Sequence, residues 1–169
     1  QRQQALAMRL ERYAAIAMIV GGAACAGNRG ARVDQAFRAF PGGGSASIVG
    51  RWALVSLMRN GEDRTDASNS SAVRYYTFNV DGTFGITRGD SILETGTWSQ
   101  DTTVVPNGFD HIPNVNGRPG RFVPGIFAIA GDTLRIAIIP PNPERRRPTQ
   151  FRSVPEDGSW LLIYHRAPR

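Results

Sequence analysis

The sequence predicts an all-β domain: about eight antiparallel strands in an up-and-down barrel, preceded by an N-terminal signal or anchor helix. Three observations carry this. Short apolar runs follow one another from Ile48 onwards. The 19 Gly and 11 Pro fall largely between those runs, where turns belong. The only longer apolar stretch near the start, Tyr13 to Val20, has the order and length of an export signal. A chain of 169 residues holds one domain with a real core and is short for two.

Residues 1–27 carry the export reading. Met8-Arg9-Leu10-Glu11-Arg12 is a short basic region and Tyr13 to Val20 an apolar core, with Met8 a candidate start. The core is shorter than the roughly 20 residues that span a bilayer. Two cleavage readings stand side by side. Ala23-Ala24-Cys25 resembles a bacterial lipoprotein signal, in which Cys25 is lipidated and tethers the protein, although Gly22 stands where an aliphatic residue is usual. Ala24-Cys25-Ala26 also fits the A-x-A site that releases a soluble protein. Either places the domain outside the cytoplasm, and an uncleaved N-terminal anchor or a buried helix is the plainer alternative. Residues 28–47, with Pro41-Gly42-Gly43-Gly44-Ser45, read as a flexible spacer.

Residues 48–169 are the barrel domain. Ile48 to Met58 is the first strand, and Asn60-Gly61 turns it into a polar loop over residues 62–71. Val73 to Val80 alternates, with Tyr76, Phe78 and Val80 on one face. Asp81-Gly82 predicts a type I′ hairpin into Thr83 to Thr87. Gly89-Asp90 leads to Ile92 to Ser99, completing a meander of three strands. Phe109 to Val115 is a further strand in a Pro-, Asn- and Gly-rich region. Arg121 to Ala130 is broken by Pro124-Gly125, which suggests an edge or a bulge. Thr133 to Ile139 presents Leu134, Ile136 and Ile138 on one face, Pro140 to Pro148 is a loop, and Ser159 to Arg166 closes the sheet. Eight strands can bury their own edges, with an open sandwich as the alternative.

Charge and chemistry exclude more than they assign. All 20 basic residues are Arg. Residues 1–47 hold six Arg against Glu11 and Asp34, and residues 48–169 hold fourteen against twelve acids. The domain is therefore close to neutral, which gives little support to a nucleic-acid partner bound by a basic face. Cys25 is the only cysteine, so no intrachain disulfide or zinc-finger site is available, and no cofactor is implied. Asp110-His111 and His165 are the histidine candidates for acid–base work, but no Gly-x-Ser-x-Gly elbow supplies a nucleophile, and a surface or edge position is the plainer expectation for both. Arg145-Arg146-Arg147 suits an anionic partner or a solvated loop.

Gly50-Arg51-Trp52, Phe78 with Asp81-Gly82, Gly96-Thr97-Trp98, Gly125-Ile126-Phe127, Gly131-Asp132-Thr133-Leu134-Arg135-Ile136 and Arg147-Pro148-Thr149-Gln150-Phe151 occur in that order. Together they resemble the uncharacterised lipocalin-like domain expanded in planctomycetes and related bacteria. The resemblance implies a calycin-type barrel with frequent export or lipidation. It implies that Trp52 packs at a closed end beneath an Arg near the last strand, Arg166 or alternatively Arg135. It also implies that Arg147 fixes its loop while Phe151 docks on the barrel.

Tyr76, Phe78, Phe84, Trp98, Ile126, Leu134 and Leu162 are the candidate interior residues, lining a small cavity or packing as core. The resulting expectation is a non-enzymatic module that binds a small apolar ligand, with a structural or protein-interaction module of the cell envelope as alternative. A site at the barrel mouth is where any enzymatic activity would have to arise.

Overall fold

A computed structural model of the protein describes residues 47–69, 71–140 and 147–168. The signal, Cys25 and nearly all of the spacer lie outside the described residues, as do Arg145 and Arg146. Among the described residues no helix is long and apolar enough to cross a membrane.

Eight strands close a barrel: β1 (Gly50–Arg59), β3 (Arg74–Phe78), β4 (Thr83–Arg88), β5 (Ser91–Asp101), β6 (Asn107–Val115), β8 (Val123–Ala130), β9 (Thr133–Ile138) and β10 (Trp160–Arg166). Two-residue strands β2 (Glu62–Asp63) and β7 (Arg118–Pro119) extend the β1 and β6 hairpins, and α1 (Thr65–Ser68) is a single helical turn. Each barrel strand pairs antiparallel with its neighbours in sequence, and β10 returns to β1. An antiparallel sheet with no free edge follows, in up-and-down order.

Turn chemistry sets the connections. Asn60-Gly61 and Asn116-Gly117 both take positive φ at the two central positions, as a type I′ turn requires. Asp81-Gly82 does not, since only Gly82 is left-handed there. Instead Asp81 Oδ1 accepts hydrogen bonds from the Thr83 backbone N–H at 2.9 Å and its hydroxyl at 2.7 Å. The loop is thereby lengthened to four residues, and Val80 ends in solvent rather than on the apolar face.

Alternation places one face of every strand inside. Register breaks once in β1, between Leu54 and Ser56, so that Val55 bulges and Leu57 returns inward. The core gathers Trp52, Leu54, Tyr76, Phe78, Phe84, Phe109, Phe127, Leu134, Ile136, Leu162 and Tyr164. Its rings interlock, with Tyr76 stacked on Phe78 at 4.2 Å and Phe78 edge-on to Phe109 at 5.7 Å. Two inward glycines make room for this. A Cβ on Gly96 would stand 2.7 Å from Phe84, its cross-strand partner, and one on Gly125 would stand 3.2 Å from Phe109, likewise its partner.

Pro124-Gly125 is therefore no edge. It lies inside β8 between β6 and β9, where Pro124 is opposite Asp110.

β8 and β9 are buried on both faces, because the segment from Arg147 to Ser159 straps the outer one. Arg147 forms an ion pair with Asp110 at 2.7 Å and donates to the carbonyls of Phe109 and Gly125. Arg135 lies with its guanidinium carbon 5.1 Å from the Phe151 ring centroid and donates to the Phe151 carbonyl.

Candidate functional site

The two ends of the barrel differ. At the start of β1 the approaching chain plugs the interior: Ile48 is fully buried, and its carbonyl accepts from Trp52 Nε1 at 2.8 Å. Arg166 covers Trp52, with its guanidinium carbon 4.1 Å from the ring centroid. Arg135, the other candidate for that place, is committed to Phe151. This end is closed.

The predicted interior residues separate into groups. Tyr76, Phe78, Phe84, Leu134 and Leu162 meet in the core, and Trp98 packs against it. Trp98 is also pinned to the β3–β4 hairpin, its Nε1 donating to the carbonyls of Thr83 and Asn79. Ile126 is a correction. Its neighbour Phe127 faces inward, so by alternation Ile126 faces outward, opposite Ala137. It is buried because the outer face of β8 and β9 is covered, and a hydrophobic-run reading could not separate the two faces.

The middle of the barrel is filled. A void large enough for water would expose its walls, yet Trp52, Phe109, Phe127 and Leu134 have no accessible surface. An eight-stranded barrel is at the size where side chains alone can do this. The expected cavity lined by all seven residues is thus replaced, at this level, by core.

Polar side chains occupy the inward face toward the other end. Arg74 is in phase with Tyr76 and Phe78 on β3, and Arg88 is in phase with Ile86 and Phe84 on β4. The two arginines stand directly opposite each other in the ladder. Glu94 on β5 faces Ile86, and Tyr164 on β10 faces Leu54, whose strand also pairs with β3. In this mouth the charge of Arg74 is felt by Arg88, Glu94 and Tyr164, and that of Glu94 by both Tyr76 and Tyr164.

Burial governs their acidity. It pushes the Tyr76 and Tyr164 hydroxyls up, so both stay protonated and available as donors. Burial raises the Glu94 carboxyl while Arg74 draws it back down. Arg74 is lowered first by burial and next by Arg88, although a guanidinium remains charged throughout. The Nε atoms of Arg74 and Arg88 and the Tyr76 hydroxyl are buried without a hydrogen-bond partner among the described residues.

His111 corrects the expectation of a surface position. It is buried, stacked on Phe109 at 5.4 Å and edge-on to Phe84 at 5.5 Å. Burial brings its pKa down to about 4, with Asp110 opposing, so the ring is neutral near pH 7. Asp110 itself points outward to Arg147, and His165 is exposed on β10. Among the described residues no ion pair joins either histidine to a carboxylate, and His111 Nδ1 has no hydrogen-bond partner.

The residues of the mouth are charged, so a pattern of apolar linings does not reveal them, but the sequence carries their signal. Arg74, Tyr76 and Phe78 alternate in one phase, which points an arginine into a barrel. Among the described residues no cluster of three metal-ligating side chains occurs. Compared with known proteins, the chain matches no family model, no curated protein and no solved structure, so the chemistry of this mouth is read from its own residues.

Proposed function

We propose that this domain is a non-enzymatic binding module that takes a small, partly apolar ligand at the mouth of its barrel, not deep within it. One observation carries the reading: a barrel plugged and filled at one end presents inward-facing, unpartnered polar groups at the other. Buried donors left unmade are costly, and a ligand that satisfies them recovers that cost. An apolar side chain is at hand at this end, since Leu93 is exposed next to Glu94 in the chain. The lipocalin-like character and export to the cell envelope, with Cys25 as a lipid tether or a released mature form, belong to this proposal and rest on the sequence motifs.

The second reading, an interaction module of the envelope, is favoured by the filled interior and by exposed Val80 and Val105 on two of the turns. Native mass spectrometry of the protein purified without denaturation separates them. The binding reading expects a small-molecule adduct that is lost in Ile86→Trp, a substitution that fills the mouth beside Tyr76. A clean protein mass, with no thermal shift against apolar probes of either charge or none, would transfer the case to the interaction module.

A further inference from the structure

Arg74 and Arg88 pose a physical problem that the fold does not solve by itself. Like charges directly opposite in a ladder repel. Both side chains are partly buried on the inward face, where screening by water is weak. Asp110 and Asp132 each take an arginine elsewhere on the barrel, but no ion pair within 4 Å joins Glu94 to either Arg74 or Arg88 among the described residues. Even a pairing with Glu94 would leave one guanidinium without a counter-charge. The cluster therefore holds a net charge of +1, with two unpartnered guanidinium Nε donors and the unpartnered Tyr76 hydroxyl.

We propose that this cluster is a recognition site for the carboxylate of a small organic acid, bound head-first. The inference rests on the mouth-binding reading and names the ligand class for it. A planar monoanion matches the charge left over and suits two guanidinium forks, each offering parallel N–H donors. A phosphate dianion would overcompensate the charge and face Glu94. Head-first entry follows from packing: beneath Arg74 and Arg88 lie Tyr76, Phe78 and Phe84, already in contact with one another, so there is no room for a tail. The apolar part of the acid remains at the rim. This is the reverse of a barrel that swallows a hydrocarbon chain and leaves its polar group outside.

The test is calorimetric titration and thermal shift of the full chain at low ionic strength with octanoate, octan-1-ol, octylamine and inorganic phosphate. Octanoate is expected to bind, octan-1-ol at least tenfold more weakly, and octylamine not at all. Arg74→Met and Arg88→Met should each weaken octanoate tenfold or more, while the ligand-free Arg88→Met protein melts no lower than wild type because a repulsion is relieved. Glu94→Gln should strengthen octanoate severalfold, a gain that misfolding cannot imitate.

Equal binding of octanoate and octan-1-ol overturns the carboxylate site and leaves mouth binding standing. Failure of all four probes overturns both. Phosphate binding in place of octanoate overturns the carboxylate assignment, and a Glu94→Gln protein that weakens octanoate as Arg88→Met does shows the cluster to be structural.

Discussion

His111 is the residue whose environment most changes its chemistry. An imidazole between Phe109 and Phe84 is solvated by rings that offer no counter-charge, so its pKa falls from 6.5 to about 4. The sign of the linkage follows from proton counts. Between pH 6.5 and 4 the unfolded chain binds a proton at this position and the folded protein does not. Stability is complete above about 6.5, declines as the pH falls through that window, and levels off below about 4. At 1.36 kcal/mol per pKa unit the whole loss is about 3 kcal/mol. Chemical denaturation of wild type and His111→Phe at several pH values checks this: the difference between them should shrink or reverse on acidification, because the Phe variant lacks the titrating group. A parallel pH dependence in the two proteins would remove His111 as its source.

At the scale of elements, packing between strands depends on two glycines placed opposite two rings. Gly96→Ala would bring a methyl group to 2.2 Å from the Ile112 carbonyl oxygen as well as into Phe84, so backbone and not only a side chain must move. The expected cost is about 1–3 kcal/mol, read as a lower denaturation midpoint at unchanged m-value. The strap depends in a different way on Arg147, which holds Asp110 and two carbonyls of β6 and β8. Arg147→Met should leave the barrel strands protected but speed amide exchange selectively over residues 147–159, since the lost contacts belong to that local unit.

These elements were unequally legible. Strand positions were readable because alternation is a direct record of one buried face, and all eight expected strands are present. The Asp81-Gly82 turn type was not, since the Asp81 carboxylate competes as an acceptor for Thr83. Ile126 was misassigned for a related reason: once the strap covers the outer face, β8 and β9 are apolar on both sides and the period of two disappears. The mouth was hidden by the opposite effect. Arg74, Arg88 and Glu94 keep the period but not the hydrophobicity, so a reading that sought apolar linings passed over them.

For the barrel as a whole, closure and filling are one problem. Pairing of β10 with β1 removes the sheet edges but leaves two ends, and the interior stays dry only if water is kept out at each of them. Ile48 does this from outside the strands: it precedes β1, is fully buried, and offers its carbonyl to Trp52 Nε1 while Arg166 covers the same indole. The plug therefore belongs to the core energetically although it belongs to no strand. Ile48→Ala should cost about 2–5 kcal/mol, as deletion of a fully buried aliphatic side chain does, instead of the few tenths expected for a residue on a tether. The variant should still respond to octanoate by the same increment in melting temperature as wild type, because the proposed mouth lies toward the opposite end. A small stability loss would mean that Trp52 and Arg166 close the barrel unaided. A lost octanoate response in a protein that remains folded would mean that the two ends are coupled through the core between them, from Trp52 to its cross-strand partner Tyr76.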